Sequence, residues 1–306
     1  MDPWGYPPGM DRPPATEAAT GTVTANGLEF TYLEAGPADG PLALCLHGFP
    51  DTAHTWRHLL PRLAEAGYHA VAPYLRGYAP TEVPVDARYD TGTLALDAGA
   101  LHQALGGGAD AVLIGHDWGG LITYPATADQ PGRWRKAVTL AVPPPASLGF
   151  GFFDYAQLRR SWYVFLFQTP VAELAVGLGD HAFLDRLWAD WSPGYDGAWD
   201  VARVKESIGS EANLTAAIGY YRAMFAGPPA DPAAAAAQAA GEGVAPQPTL
   251  YLHGADDGCM GVDIIGPVTD HLAPGSEMVV IEGAGHFLHL ERPDAVNGHI
   301  LRFLTD

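Results

Sequence analysis

Lysine is almost missing from this chain. Only Lys136 and Lys205 occur in 306 residues, and Lys plus Arg total 16 against 35 for Asp plus Glu. The formal net charge is −19, and no basic patch interrupts the acidic background. A nucleic-acid partner is excluded on that ground. Cysteine is scarce too, with Cys45 and Cys259 alone. No disulfide framework is indicated, and neither the cysteines nor the 12 histidines fall at zinc-site spacing. Cys45 lies in an apolar run and reads as a small buried hydrophobe. No run of about 18 apolar residues appears, so no membrane-spanning helix is expected. The N-terminus has no basic segment leading into an apolar one, so no secretory signal is expected and the cytoplasm is the default location. What the chain does hold is 48% hydrophobic residues, enough for one large core carrying an insertion.

Residues 1–20, rich in Pro, Gly and Ala, are expected to form a flexible lead. Thr22 to Leu33 alternates around Asn26-Gly27 and predicts a β-hairpin. Pro41 to Leu46, Tyr68 to Pro73, Ala111 to Ile114 and Ala137 to Val142 are short apolar runs of buried-strand character. Between them lie helical patterns. One is capped by Asp51 or Thr52 and runs through Leu63. Another opens at Asp90 or Thr91 and is closed by Gly106-Gly107-Gly108. Strands alternating with helices predict an α/β fold with a mainly parallel sheet. From 146 the character changes. Aromatics crowd from Phe150 to Phe225, and the pattern is helical. Residues 146–245 therefore read as a helical cap and linker inserted into a core formed by 21–145 and 246–306. Strands resume at Thr249 to Gly254 and Met278 to Ile281, and a last helix spans Pro293 to Leu304.

The chain is organised around Gly115-His116-Asp117-Trp118-Gly119-Gly120, between a strand and a helix. Small residues there allow a sharp strand-to-helix turn, and the apex residue projects into a pocket. The apex is Asp117, where a serine is usual. An aspartate, with a reference pKa of about 4, is an anion at neutral pH and needs no base to attack. A carboxylate suits sp3 carbon in a strained ring or bearing a good leaving group. Two further strand ends carry candidates: Asp256 and Asp257 after Gly254, and His286 after Gly283-Ala284-Gly285. Nucleophile, acid, histidine is the chain order of α/β-hydrolases. Asp257, three residues past Gly254, is preferred as the acid, with Asp256 the alternative. The acid orients the imidazole and stabilises its charged form. After the strand ending at Leu46, the backbone N–H of Phe49, with that of Trp118, suits an oxyanion hole.

Together, His47-Gly48-Phe49-Pro50, Arg76-Gly77-Tyr78, the Asp117 turn and Gly283-Ala284-Gly285-His286-Phe287 resemble α/β-hydrolase-fold epoxide hydrolases over about residues 20–306. Tyr74 departs from the family pattern, which often has Asp there, and the loop continues Ala79-Pro80-Thr81 without a further Gly. The resemblance implies two cap tyrosines that donate to the epoxide oxygen, and it assigns them to Tyr163 and Tyr221. It also implies a small-molecule substrate, apolar or aromatic, and no metal or organic cofactor; a homodimer is left open. Two rivals stand beside it. In a haloalkane dehalogenase Trp118 would hold the halide, but residue 49 is Phe where those enzymes often have Asn. A non-catalytic ligand-binding relative is the other.

Overall fold

The computed structural model describes residues 18–148 and 151–305. The expected lead therefore lies almost wholly outside the described residues, as does Phe150. Strands β1 (Ala19–Ala25) and β2 (Leu28–Ala35) form the predicted antiparallel hairpin. Asn26 and Gly27 both take positive φ, 47° and 75°, the mirror-image turn that an Asn-Gly pair favours. The hairpin joins β3 (Leu42–Leu46), β4 (His69–Pro73), β5 (Val112–His116), β6 (Lys136–Leu140), β7 (Thr249–Gly254) and β8 (Glu277–Ile281) in one sheet. The order is β1-β2-β4-β3-β5-β6-β7-β8. β2 meets β4 antiparallel, and every pair from β4–β3 to β7–β8 is parallel. All residues of β3, β4 and β5 are buried, which is why they read as unbroken apolar runs rather than alternating ones.

The first crossover differs from the single helix expected. A short 3-10 turn, Ala53–His58, is capped by Thr52, whose side chain accepts from the His54 N–H. Helix α1 (Leu60–Glu65) then starts afresh, with Pro61 in its first turn, where a missing N–H costs nothing. α2 (Thr91–Ala104) opens at Asp90, whose carboxylate accepts from the Thr93 N–H at 2.7 Å. α3 (Trp118–Asp129) follows β5 directly. β6 stops at Leu140, two residues early, because Ala141 turns the chain with φ 67°.

Between β6 and β7 the chain is helical: α4 (Pro145–Leu148), α5 (Tyr155–Arg160), α6 (Trp162–Leu166), α7 (Ala172–Trp191), α8 (Ala198–Ile208), α9 (Glu211–Ala223) and α10 (Pro232–Ala240). α7 is broken at Leu178–His181, where the backbone leaves helical geometry. α10 packs on α2 and α3. After β8 come α11 (Leu288–Glu291) and α12 (Pro293–Thr305). Buried polar contacts dock the insertion on the sheet. Arg57 pairs with Asp200 of α8 at 2.5 Å, Tyr220 donates to the Arg76 carbonyl, and the Trp188 indole donates to the Pro50 carbonyl. Among the described residues, no helix is long and apolar enough to cross a membrane.

The sheet order also locates a crevice. From β3 the chain passes to β4 on one side, and then to β5 on the other. Ligands in open α/β sheets bind at such a reversal, outside the carboxyl ends of the strands.

Candidate active site

Asp117 sits at that reversal, between the last residue of β5 and the first of α3. Its φ is 52° and its ψ −116°, a backbone conformation that costs a non-glycine residue about 1–3 kcal/mol. The neighbours explain why the turn can be so tight. A Cβ on Gly119 would lie 2.0 Å from the Leu46 carbonyl oxygen, and one on Gly115 would lie 2.1 Å from the Gly119 carbonyl oxygen. Only hydrogen fits at either place. Across the crevice, the Phe49 N–H donates to Asp117 Oδ1 at 2.8 Å. Trp118, as the first residue of α3, has a backbone N–H with no partner within its own helix. Of the two expected oxyanion donors, the Phe49 N–H meets the carboxylate directly and the Trp118 N–H belongs to the next residue in the chain.

The loops after β7 and β8 bring the acid and the histidine to the same point. His286 Nδ1 is 3.0 Å from Asp257 Oδ2, and Nε2 is 3.5 Å from Asp117 Oδ2. Asp257 Oδ1 accepts from the N–H groups of Cys259 and Met260 at 2.7 and 2.8 Å. The alternative, Asp256, is exposed, and its N–H is spent on the Ala284 carbonyl. Burial alone would raise the Asp257 carboxyl, but the charge and hydrogen bond of His286 outweigh it and hold the pKa below its ordinary value. Burial also works against a charged His286. The carboxylates of Asp257 and Asp117 overcome it and raise the pKa to about 10.

The two expected cap tyrosines pack on residues around this point. Tyr163 of α6 and Tyr221 of α9 are buried, with ring centroids 5.6 Å apart and planes at 80°. The Tyr221 ring also stands edge-on to Phe49, Phe167 and Trp118. Among the described residues its hydroxyl has no hydrogen-bond partner, whereas Tyr163 Oη is 3.5 Å from Cys259 Sγ. Burial first, and then nearby charges including Asp117, push both phenols well above their ordinary value. Both therefore stay neutral phenols at ordinary pH. Beside the site, an apolar cavity of about 380 Å³ opens between insertion and core, walled by Trp118, Phe152, Phe153, Met224 and Phe225.

Several supports carry no sequence signal. The Trp191 carbonyl, at the end of α7, accepts from the N–H groups of both Gly258 and His286 at 3.0 Å. It ties the acid loop and the histidine loop to the insertion. Ser192 Oγ accepts from the Phe287 N–H and donates to Glu291, and Trp188 stacks on Phe287 at 3.5 Å. Behind His286, His116 Nε2 donates to the His286 carbonyl, and its Nδ1 is 3.6 Å from Asp51. Tyr74, the departure noted in the sequence, packs edge-on to His54. Among the described residues, two groups bring possible metal-ligand atoms within 4.8 Å of one another: Asp51, His116 and His289, and Asp117, Cys259 and His286.

The histidines also predict a pH profile for stability. Burial is the main cause lowering His47, His54 and His58 to about 4. Histidine in an unfolded chain titrates near 6.5, so the unfolded state binds the extra protons as pH falls below that value. Their contribution is present above about 6.5 and lost toward 4. His286 has the opposite sign: its contribution is present below about 6.5 and lost as pH rises toward 10. The melting temperature is expected to peak near pH 6.5 and decline on both sides. Calorimetry across that range checks this, and His286→Gln should flatten the alkaline limb.

An aspartate at a tight strand-to-helix turn after β5, facing a histidine from the loop after β8 that pairs with a second aspartate from the loop after β7, is the arrangement of an α/β hydrolase. The chain belongs to the alpha/beta hydrolase fold family, whose sequence model matches residues 41–293. Within it, the chain is an epoxide hydrolase-like member. It is 30% identical to Epoxide hydrolase A of Mycobacterium tuberculosis, with 92% of this chain and 96% of that protein aligned. It is 29% identical to mouse Epoxide hydrolase 3, over 93% of this chain and 76% of that one. Among solved structures, Epoxide Hydrolase A of Mycobacterium thermoresistibile superposes with TM-score 0.73 at 29% identity, covering 94% and 98% of the two chains.

Proposed function

We propose that the chain hydrolyses an epoxide to a vicinal diol through a covalent ester on Asp117. The observation that carries this reading is the pair of buried phenols, Tyr163 and Tyr221, packed against Trp118 and Cys259 beside a carboxylate that already faces a histidine. Opening an epoxide builds charge on a poor alkoxide leaving group, and a phenol donor relieves it. Displacement of a halide gives two such donors no duty.

In the first half-reaction, Asp117 Oδ2 attacks a ring carbon while a tyrosine protonates the departing oxygen. Asp117 becomes a neutral ester. One of the two carboxylates that held the proton on His286 is then gone, so the imidazolium releases it and the phenolate is restored to phenol. His286 is now a neutral base, held by Asp257 with Nε2 free. In the second half-reaction it takes a proton from water, and the hydroxide attacks the ester carbonyl. The Phe49 and Trp118 N–H groups stabilise the oxyanion. Collapse releases the diol and returns Asp117 as an anion and His286 as an imidazolium. Protons balance over the cycle, and no other group is consumed. The apolar cavity beside Trp118 supports an apolar or aromatic substituent on the epoxide.

Tyr221→Phe is expected to lower kcat/KM for an aryl epoxide by about 10²-fold, the scale of one lost donor, and the double variant with Tyr163→Phe by up to about 10⁴-fold. Steady-state kinetics on folded variants checks this. Near-normal turnover by the double variant would remove the tyrosines from the mechanism.

A further inference from the structure

One thiol in the pocket has no part in this hydrolysis. Cys259 is buried, with Sγ 3.5 Å from Tyr163 Oη. One donor atom each from Asp117, Cys259 and His286 lies within 4.8 Å of the other two. His286 gives Nδ1 to Asp257, which leaves Nε2 as its free donor. That atom is fully buried, has no hydrogen-bond partner among the described residues, and lies 3.5 Å from Asp117 Oδ2. Two nitrogen or oxygen ligands at roughly 2.0–2.1 Å from a tetrahedral zinc stand about 3.4 Å apart. The carboxylate and the imidazole are therefore already at ligand spacing, and Cys259 Sγ lies within 4.8 Å of a ligand atom of each.

We propose that Asp117, Cys259 and His286 form an inhibitory site for one zinc-class divalent ion. Thiolate, imidazole and carboxylate are zinc's protein ligands, and three of them leave the fourth corner to water. A thiolate also favours zinc over magnesium or calcium. The chain's net charge of −19 raises the local concentration of cations. On binding, the thiol proton and the proton on His286 leave to solvent, so the charge within the pocket is unchanged. The ion holds both the attacking oxygen and the nitrogen that activates water, and hydrolysis stops. The inhibition rests on the epoxide reading; the binding does not.

The test uses the full chain as wild type, Cys259→Ala and Cys259→Ser, with folding checked by circular dichroism. Zn²⁺ binding is measured by equilibrium dialysis, and Co²⁺-loaded protein is examined for thiolate-to-cobalt charge-transfer absorption. No epoxide is present in either measurement. Wild type should bind one ion per chain and show the charge-transfer band. Both variants should lose the band and bind Zn²⁺ more than about tenfold more weakly, since even loss of a group behind the ligands costs that much. In turnover assays, scaled to each variant's own metal-free rate, Zn²⁺ should inhibit wild type at least tenfold more strongly, and Mg²⁺ should inhibit neither. Equal Zn²⁺ binding by wild type and both variants, or a Co²⁺ derivative without the band, would overturn the proposal.

Discussion

Asp117→Ala is expected to lower epoxide turnover by on the order of 10⁴-fold or more, the scale on which removal of a nucleophile acts in covalent catalysis. The variant keeps the fold, because Ala needs no more room than Asp at a turn held by Gly115 and Gly119. It also removes a buried carboxylate whose partners are the Phe49 N–H and His286. What remains in the pocket is a phenol pair and an imidazole, which orient water near the epoxide without a carboxylate to attack it. A fall in kcat with little change in KM is the expected pattern, and steady-state kinetics reads it. Residual activity near the wild-type rate would mean that water attacks the ring directly and that Asp117 is structural.

Asp257→Asn should cost about 10³–10⁴-fold in steady-state turnover, but by a different route. Asp257 Oδ1 accepts from two backbone N–H groups, those of Cys259 and Met260. An asparagine must offer its carbonyl oxygen to them, which turns its NH2 toward His286 Nδ1. That nitrogen then has to be the acceptor, so the imidazole proton sits on Nε2, where water's proton should go. Alkylation of Asp117 is spared and ester hydrolysis is not. Rapid-quench kinetics should therefore show a burst of about one epoxide consumed per enzyme, followed by a slow steady state. Loss of the burst together with the steady state would assign Asp257 to the first half-reaction as well.

Much of this arrangement was legible in the chain. Asp117 stands out because glycines on both sides leave room for a turn that nothing larger permits, and the structure gives the reason in two backbone approaches near 2 Å. The buried strands are legible because parallel strands covered on both faces must be apolar throughout. The choice between Asp256 and Asp257 rested in the sequence on spacing from Gly254 alone. It turns on which carboxylate the loop folds inward over the N–H groups of Cys259 and Met260, a matter of backbone direction rather than residue type. Tyr163 and Tyr221 entered only through resemblance, since which aromatic of a crowded insertion faces Asp117 depends on how the insertion docks. Trp191 contributes a carbonyl, which any residue would supply. The break in the first crossover, with Thr52 capping and Pro61 restarting a helix, is local chemistry read too smoothly as one helix.

The central claim is the covalent ester, and His286→Gln tests it most directly. Without its base the variant should form the ester and hold it. Intact-protein mass spectrometry after incubation with aryl and alkyl epoxides should find a gain equal to the whole epoxide, and peptide mapping should assign it to Asp117. An unmodified Asp117 with an epoxide that the wild type hydrolyses, or a gain seen only with bromoalkanes and equal to the bromoalkane less HBr, would contradict the account.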